Sequence, residues 1–282
     1  MKRSIFFVFL MLSFFKTYAC DCDTPKPILE FQSSEYVFDG KVISKIYSSD
    51  SLTYTVKFEI LKHYKKNSNP KFLEFSFQSE GKYTGTWTSC DWSVDKNERW
   101  LVYAYYWKDK LTFSSYCSNS KILTENIPKS EQKILDNADN FEIDKYTFTN
   151  LEGSFTKSKP IINLDSILKK YSNIDYGKKY SDNRVDIVVD IDKNGNLLAV
   201  NLTSNEHMKT ENNEIIDSIY NLNKPQNIEI RKPKTKFEKD IITIVKGLKT
   251  WRKTYIQGTE TPIRIRKFLQ FHKKSNEIKV YY

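Results

Sequence analysis

Four cysteines constrain this chain more than any other feature: Cys20, Cys22, Cys90 and Cys117 all fall in the first half of its 282 residues. What they can do depends on compartment, and the N-terminus supplies that. Lys2 and Arg3 form a basic start, Ser4 to Phe15 is an almost unbroken apolar run, and Thr17-Tyr18-Ala19 ends on a small residue. This is the layout of a secretory leader. Residues 1–19 are therefore expected to be removed, with Cys20 as the first residue left. The run is shorter than the roughly 20 residues that cross a bilayer. No later segment approaches that length, so no transmembrane span is expected after leader removal. In an oxidising compartment an even number of cysteines pairs off. A lipid on Cys20 would strand one thiol, and Thr17 stands where a lipoprotein signal usually has Leu, so two disulfides are the expected outcome. Cys20 and Cys22 are too close to bridge each other without strain, which leaves two connectivities open.

The remaining chain is long enough for two ordinary domains. Residues 35 to 117 read as short strands: Tyr36–Ile43, Leu52–Ile60, Phe72–Phe77, Trp100–Tyr106 and a fifth opening at Leu111, with Lys108-Asp109-Lys110 as a hairpin turn. Leu52, Tyr54, Val56, Phe58 and Ile60 alternate onto one face. Several strands at this spacing predict a small barrel or sandwich. Ser130 to Phe141 reads as a helix, and the mixed polar stretch 142–160 as the boundary. Leu164 to Tyr171 is a short helix with Asn163 or Asp165 near its cap. Beyond it, Arg184–Asp192 and Leu197–Thr203 are strands joined by the tight turn Lys193-Asn194-Gly195-Asn196. Phe237 to Lys253 is the clearest helix, with Phe237, Ile241, Ile244, Val245, Leu248 and Trp251 on one stripe. Pro262–Phe271 and Glu277–Tyr281 close the chain as strands. Residues 205–235 are polar and give no assignment.

The first half resembles the netrin-like module of the tissue inhibitors of metalloproteinases. The residues that carry this are the Cys20-Asp21-Cys22 start, the strand Tyr36–Val42, Cys90-Asp91-Trp92 before Trp100–Ala104, and Leu111-Thr112-Phe113 before Cys117. The resemblance implies an OB-like five-stranded barrel with a flanking helix over residues 20–142. It also implies the pairing Cys20–Cys90 and Cys22–Cys117. In that family the first Cys chelates a protease zinc, which makes Cys20 and Asp21 candidate binding residues. Asp21 would carry a charge into an apolar pocket, at a desolvation cost. The second half, residues 180–282, is similar to the C-terminal domain of TonB. Val185–Ile191, Asp192–Leu197, Val200–Leu202, Leu248–Arg252 and Gln257–Ile265 carry that likeness. It implies a small α+β domain, an antiparallel sheet packed with a helix, reached through a linker at 143–179. An open edge at Pro262–Phe271 would let a receptor segment add a strand, with Pro262, Arg264, Arg266 and Phe268 as candidate contacts.

Catalytic patterns are not evident. His63, His207 and His272 are scattered without metal-ligand spacing and read as surface residues. Asp186, Asp190 and Asp192 could serve acid–base work or calcium but read as hairpin solubility. Trp87, Trp92, Trp100, Trp107, Tyr105 and Tyr106 could form a carbohydrate or peptide platform, though a small barrel fills its core with such rings. Trp100 is expected inside. Lys246, Lys249, Arg252 and Lys253 read as a solvated helix face. The net charge of +10 is spread among acids along the chain, so it reads as surface, with acidic envelope polymers or anionic lipid a minor attraction. The expectation is an exported bacterial envelope protein, periplasmic or at the cell surface. It would bind a protein or peptide, with an outer-membrane receptor as one option, and would need no cofactor, nucleic acid or catalytic machinery. An accessory role in TonB-dependent transport and protease inhibition through Cys20 are the alternatives.

Overall fold

The computed structural model describes residues 24–65, 68–87, 91–149, 159–177, 183–203, 217–222, 230–256 and 259–281. The expected leader (residues 1–19), Cys20, Asp21, Cys22, Cys90 and His207 lie outside these residues, as does most of the polar stretch 205–235. The chain divides into two compact units, one built on Ser34–Pro128 and the other on Pro25–Ser33 with Lys129–Tyr282. Both are dominated by antiparallel sheet, with a few short helices. No described helix is long and apolar enough to cross a membrane.

In the first unit, β1 (Tyr36–Tyr47) lies between β2 (Thr53–His63) and β4 (Arg99–Trp107). β3 (Phe72–Gln78) lies outside β2 and β5 (Lys110–Thr112) beyond β4, giving the order β3-β2-β1-β4-β5, with β6 (Lys121–Ile122) also on β4. β1 slips register twice, between Asp39 and Gly40 and between Val42 and Ser44. Such bulges bend a strand and tighten its twist, and the end strands β3 and β5 come into contact. The expected alternation on β2 holds for Tyr54, Val56 and Phe58, all buried, whereas Leu52 at the turn is exposed. The interior they face is ring-rich: Phe38, Phe58, Phe75, Trp100 and Phe113 are all buried. Asp39 is buried on β1 and held by Arg99, whose Nε donates at 2.8 Å. The β4–β5 turn is Lys108-Asp109, with φ 47° and 62°.

In the second unit the order is β10 (Ile230–Arg231), β9 (Leu197–Thr203), β8 (Arg184–Ile191), β13 (Ile265–Lys274), β14 (Glu277–Tyr281), while β11 (Thr254–Tyr255) and β12 (Pro262–Ile263) pair as a separate two-stranded ribbon. β7 (Phe148–Thr149) runs parallel against Ile265 and Arg266, a parallel pairing inside an otherwise antiparallel sheet. α1 (Pro27–Ser33), which the sequence did not announce, packs against α3 (Lys129–Asn137). α3 ends in 3-10 turns at Ala138–Asn140 and Ile143–Lys145. α4 (Leu164–Lys169) is capped by Asn163, whose side chain accepts from Asp165 N and Ser166 N. α5 (Lys236–Gly247) opens with a capping box between Thr235 and Glu238, which satisfies donors the first turn leaves orphaned. It presses Phe237, Ile241, Ile244 and Val245 onto Val185, Ile187, Val189 and Leu269.

α5 stops six residues short of the expected end. Leu248 and Trp251 still bury, but Trp251 N donates to Gly195 O at 2.8 Å, and Thr250 bridges to Asn196. Those pairings require an extended backbone. Gly195, at φ 86°, is what lets the turn come so close: a Cβ there would lie 2.3 Å from Trp251 O. The same turn is organised by Asp192, whose carboxylate accepts from Asn194 N and Asn196 N, each at 2.8 Å. Burial opposes its charge, but the Asn196 side chain and these amides outweigh that and hold its pKa below the usual carboxylate range.

Candidate binding surface

At one end of the first sheet, the chain leaving β3 turns into the four-residue helix α2 (Gly81–Thr84), then returns through Asp91-Trp92-Ser93 toward β4. Glu80, just before α2, gathers the neighbourhood. Its Oε1 accepts from Lys45 Nζ at 2.7 Å and from Ser93 Oγ at 2.6 Å; Tyr47 OH donates to both oxygens, at 3.1 and 3.0 Å. Lys45 Nζ also donates to Ser93 Oγ at 2.7 Å and lies 4.4 Å from the Tyr54 ring centroid. Burial disfavours the Glu80 charge, yet the Lys45, Ser93 and Tyr47 donors prevail and hold its pKa at about 2. Burial likewise pushes Lys45 down, but its bond to Glu80 leaves the net shift upward.

A serine between a lysine and a carboxylate invites a hydrolytic reading, and the electrostatics oppose it. A nucleophilic serine needs an adjacent base strong enough to take its proton. Lys45 is kept as an ammonium, and Glu80, its pKa held at about 2, is a weak base. The cluster is a charge-assisted brace, which fixes Glu80 and the start of α2.

What the brace supports is aromatic. Trp92 packs among Phe77, Trp100 and Phe113 at ring distances of 4.7, 5.4 and 5.2 Å. From there the rings continue outward through Tyr54 and Tyr47 to Tyr83, with Tyr47 and Tyr83 4.9 Å apart. Tyr54 OH donates to Trp92 O at 2.9 Å, and burial pushes its hydroxyl pKa up. Trp87 is 73% exposed, yet its indole is seated against Gly81, where a Cβ would lie 2.6 Å from its Cδ2. Gly81 N donates to Asp91 Oδ2 at 2.9 Å, and Tyr116 OH to Asp91 O at 2.6 Å. Cys117, next to Tyr116, is disulfide-bonded, and no described cysteine is free. Tyr83, Trp87 and Tyr116 thus present large exposed rings on a rigid, ion-paired base. Gly81, Glu80 and Lys45 were not singled out in the sequence. Gly81 and Gly85 bracketing Lys82-Tyr83-Thr84 were the available signal, since only glycine tolerates the indole's approach at 81.

The other candidate residues sort differently. Among the six aromatics, Trp100 is buried as expected and Trp92 half-buried beside it; Tyr106 and Trp107 are exposed at the β4–β5 hairpin. The expectation of an open edge at Pro262–Phe271 is corrected. β13 pairs with β8 from Ile265 to His272, while β7 and β14 take its other side at Ile265–Arg266 and Gln270–Lys274. Its alternating burial places it inside the sheet. Arg264 is exposed and Pro262 and Phe268 are half-buried. Arg266 is engaged internally, with Nε donating to Asp190 Oδ1 at 2.7 Å.

Asp190 and Asp186 are buried and ion-paired, with Arg266 and Arg184, so they are not the solubility residues the sequence suggested. His63 and His272 are half-buried, His63 Nε2 lying 3.0 Å from Pro70 O and His272 against Tyr281, which corrects their surface reading. Lys246, Lys249, Arg252 and Lys253 are exposed, the last three lying beyond the end of α5. No group of metal-ligating side chains forms among the described residues. No family model and no curated protein matches this chain.

Proposed function

We propose that this is an exported bacterial envelope protein that binds a partner and does no chemistry, with the Tyr83–Trp87–Tyr116 surface as its binding site. The observation that carries the reading is Trp87, an exposed indole seated on a glycine and backed by a locked Lys45–Glu80–Ser93 brace. A fixed aromatic loses little freedom on binding and offers a large contact area. In this reading the first unit is an OB-like barrel related to the netrin-like modules. The order β3-β2-β1-β4-β5, the bulges in β1 and the meeting of β3 with β5 support it. Its disulfides would be Cys20–Cys90 and Cys22–Cys117. The second unit would be a TonB-like domain, supported by the β8–β9 hairpin, α5 and the returning β13. Strand addition at Pro262–Phe271 loses its support with the edge occupied.

The test is retention of envelope components by the immobilised exported protein, compared with Trp87→Ala. A component retained by the wild type and lost in the variant is expected. Equal retention by both, or turnover of any envelope substrate, would refute the reading.

A further inference from the structure

A different part of the first unit carries its own inference. Beyond Tyr105, the strand β4 runs past the body of the sheet. Tyr106 and Trp107 are neighbours on opposite faces of a strand, yet they are 58% and 64% exposed. Successive residues of a strand point to opposite sides, so neither face is covered there. The hairpin is closed by Trp107 opposite Lys110 and Tyr106 opposite Leu111. Its two-residue turn has Lys108 and Asp109 at φ 47° and 62°. Both values are left-handed, a geometry that favours Asn-Gly and costs a residue with a Cβ. A lysine therefore stands at the tip although glycine or asparagine would close the turn more easily. Neither Lys108 nor Lys110 has an ion-pair partner among the described residues.

We infer that the β4–β5 hairpin docks the protein on an anionic lipid bilayer. Tryptophan and tyrosine sit at the headgroup level, with apolar bodies inward and polar edges wet. Lysines beside them meet lipid phosphates, and the chain's net charge, +10 in full and +7 once Lys2, Arg3 and Lys16 leave with the leader, adds a longer-ranged attraction. The tip itself carries a net single positive charge, because Asp109 separates the two lysines. Docking is therefore weak, reversible and dependent on both rings. It would hold the protein at a membrane face without a spanning segment.

The experiment is co-sedimentation of the exported, processed protein with vesicles of phosphatidylcholine, alone or mixed with phosphatidylglycerol. Binding is expected only to the mixed vesicles and should weaken with added salt. Trp107→Ala, or Tyr106→Ala, should lower partitioning about tenfold. Lys108→Glu with Lys110→Glu should abolish it, with circular dichroism unchanged because these side chains are exposed. Binding that survives both aromatic substitutions, equal binding to the neutral vesicles, or none to either overturns the inference. So does tip-dependent binding to a soluble acidic polysaccharide in place of vesicles.

Discussion

The first sheet is filled with rings and the second with branched aliphatic chains. In the first, Phe75 meets Phe58 and Phe113 edge-on at 5.8 and 5.1 Å, and Phe38 meets Phe58 the same way. In the second, Val185, Ile187, Val189 and Ile191 lie under Ile241, Val245 and Leu248. A sheet that curls until its end strands meet must fill its interior from its own side chains, and aromatic rings reach furthest. A sheet covered by a helix needs compact side chains that mesh with helical ridges. Both units bury a strand carboxylate against an arginine, Asp39 with Arg99 in the first, but they differ in where they keep the rest of their charge. The first holds the Lys45–Glu80 pair at one end, beneath exposed aromatics. The second buries Asp186, Asp190, Lys267 and Lys273 along its strands, the Lys273 ammonium donating to the carbonyls of Ser172 and Ser275.

Removing a ring from the first core should have the largest effect. Phe75→Ala is expected to cost about 4 kcal/mol and to unfold the first unit while the second persists. Ile241→Ala should cost about 3 kcal/mol and do the reverse. Chemical denaturation followed separately by near-ultraviolet dichroism and by exchange of α5 amides distinguishes them. A single shared transition in both variants would erase the comparison.

The covalent asymmetry comes next, because no cysteine follows Cys117. Cys22→Ser should destabilise the first unit by about 3 kcal/mol and leave Cys117 open to thiol reagents. Peptide mapping that joins Cys20 to Cys117, or Cys22 to Cys90, would contradict the proposed pairing and the netrin-like reading with it.

Glu80→Gln should cost about 2 kcal/mol at neutral pH, since it leaves Lys45 without its carboxylate. The folded pKa of Glu80, about 2, lies below its ordinary 4.5. The stability it contributes is therefore complete above pH 4.5 and lost as pH falls toward 2. The variant should flatten that acid limb. An unchanged limb would mean that other carboxylates set it.

Lys267 should act in the opposite direction and more weakly. Burial, then repulsion from Lys159, pulls its pKa from 10.5 to about 8. Between those values the unfolded chain holds the proton more tightly, so the second unit should gain stability as pH rises through that window. Lys267→Met should remove this alkaline gain and add about 1–2 kcal/mol at pH 7. Loss of stability at pH 7 would show that the lysine's own contacts outweigh its burial.

Much of the strand pattern was legible because it rests on alternation, as in Tyr54, Val56 and Phe58, or on a turn with few solutions, as in Asp192 to Asn196. Helix ends were less so. The apolar stripe runs on through Leu248 and Trp251, and only tertiary pairing with Gly195 and Asn196 tells the chain to leave the helix. The buried pairs Asp190–Arg266 and Asp186–Arg184 were hidden for a similar reason: a charged residue in a strand looks solvated until its partner, 76 residues away for Arg266, is placed. The candidate binding surface was the least legible. Trp87 was in view as one of six aromatics, but its distinction lies in Gly81 beneath it, and the Lys45–Glu80–Ser93 brace joins three separate segments.

The central claim is that the ring-bearing end of the first unit is where a partner binds. Hydroxyl-radical footprinting of the purified protein, alone and after equilibration with envelope extract, tests it most directly. Protection is predicted at Tyr83, Trp87 and Tyr116, with Leu198 and Tyr281, exposed on the second unit, unchanged. Protection confined to Leu198 and Tyr281, with Trp87 oxidised as fast as in the protein alone, would contradict it.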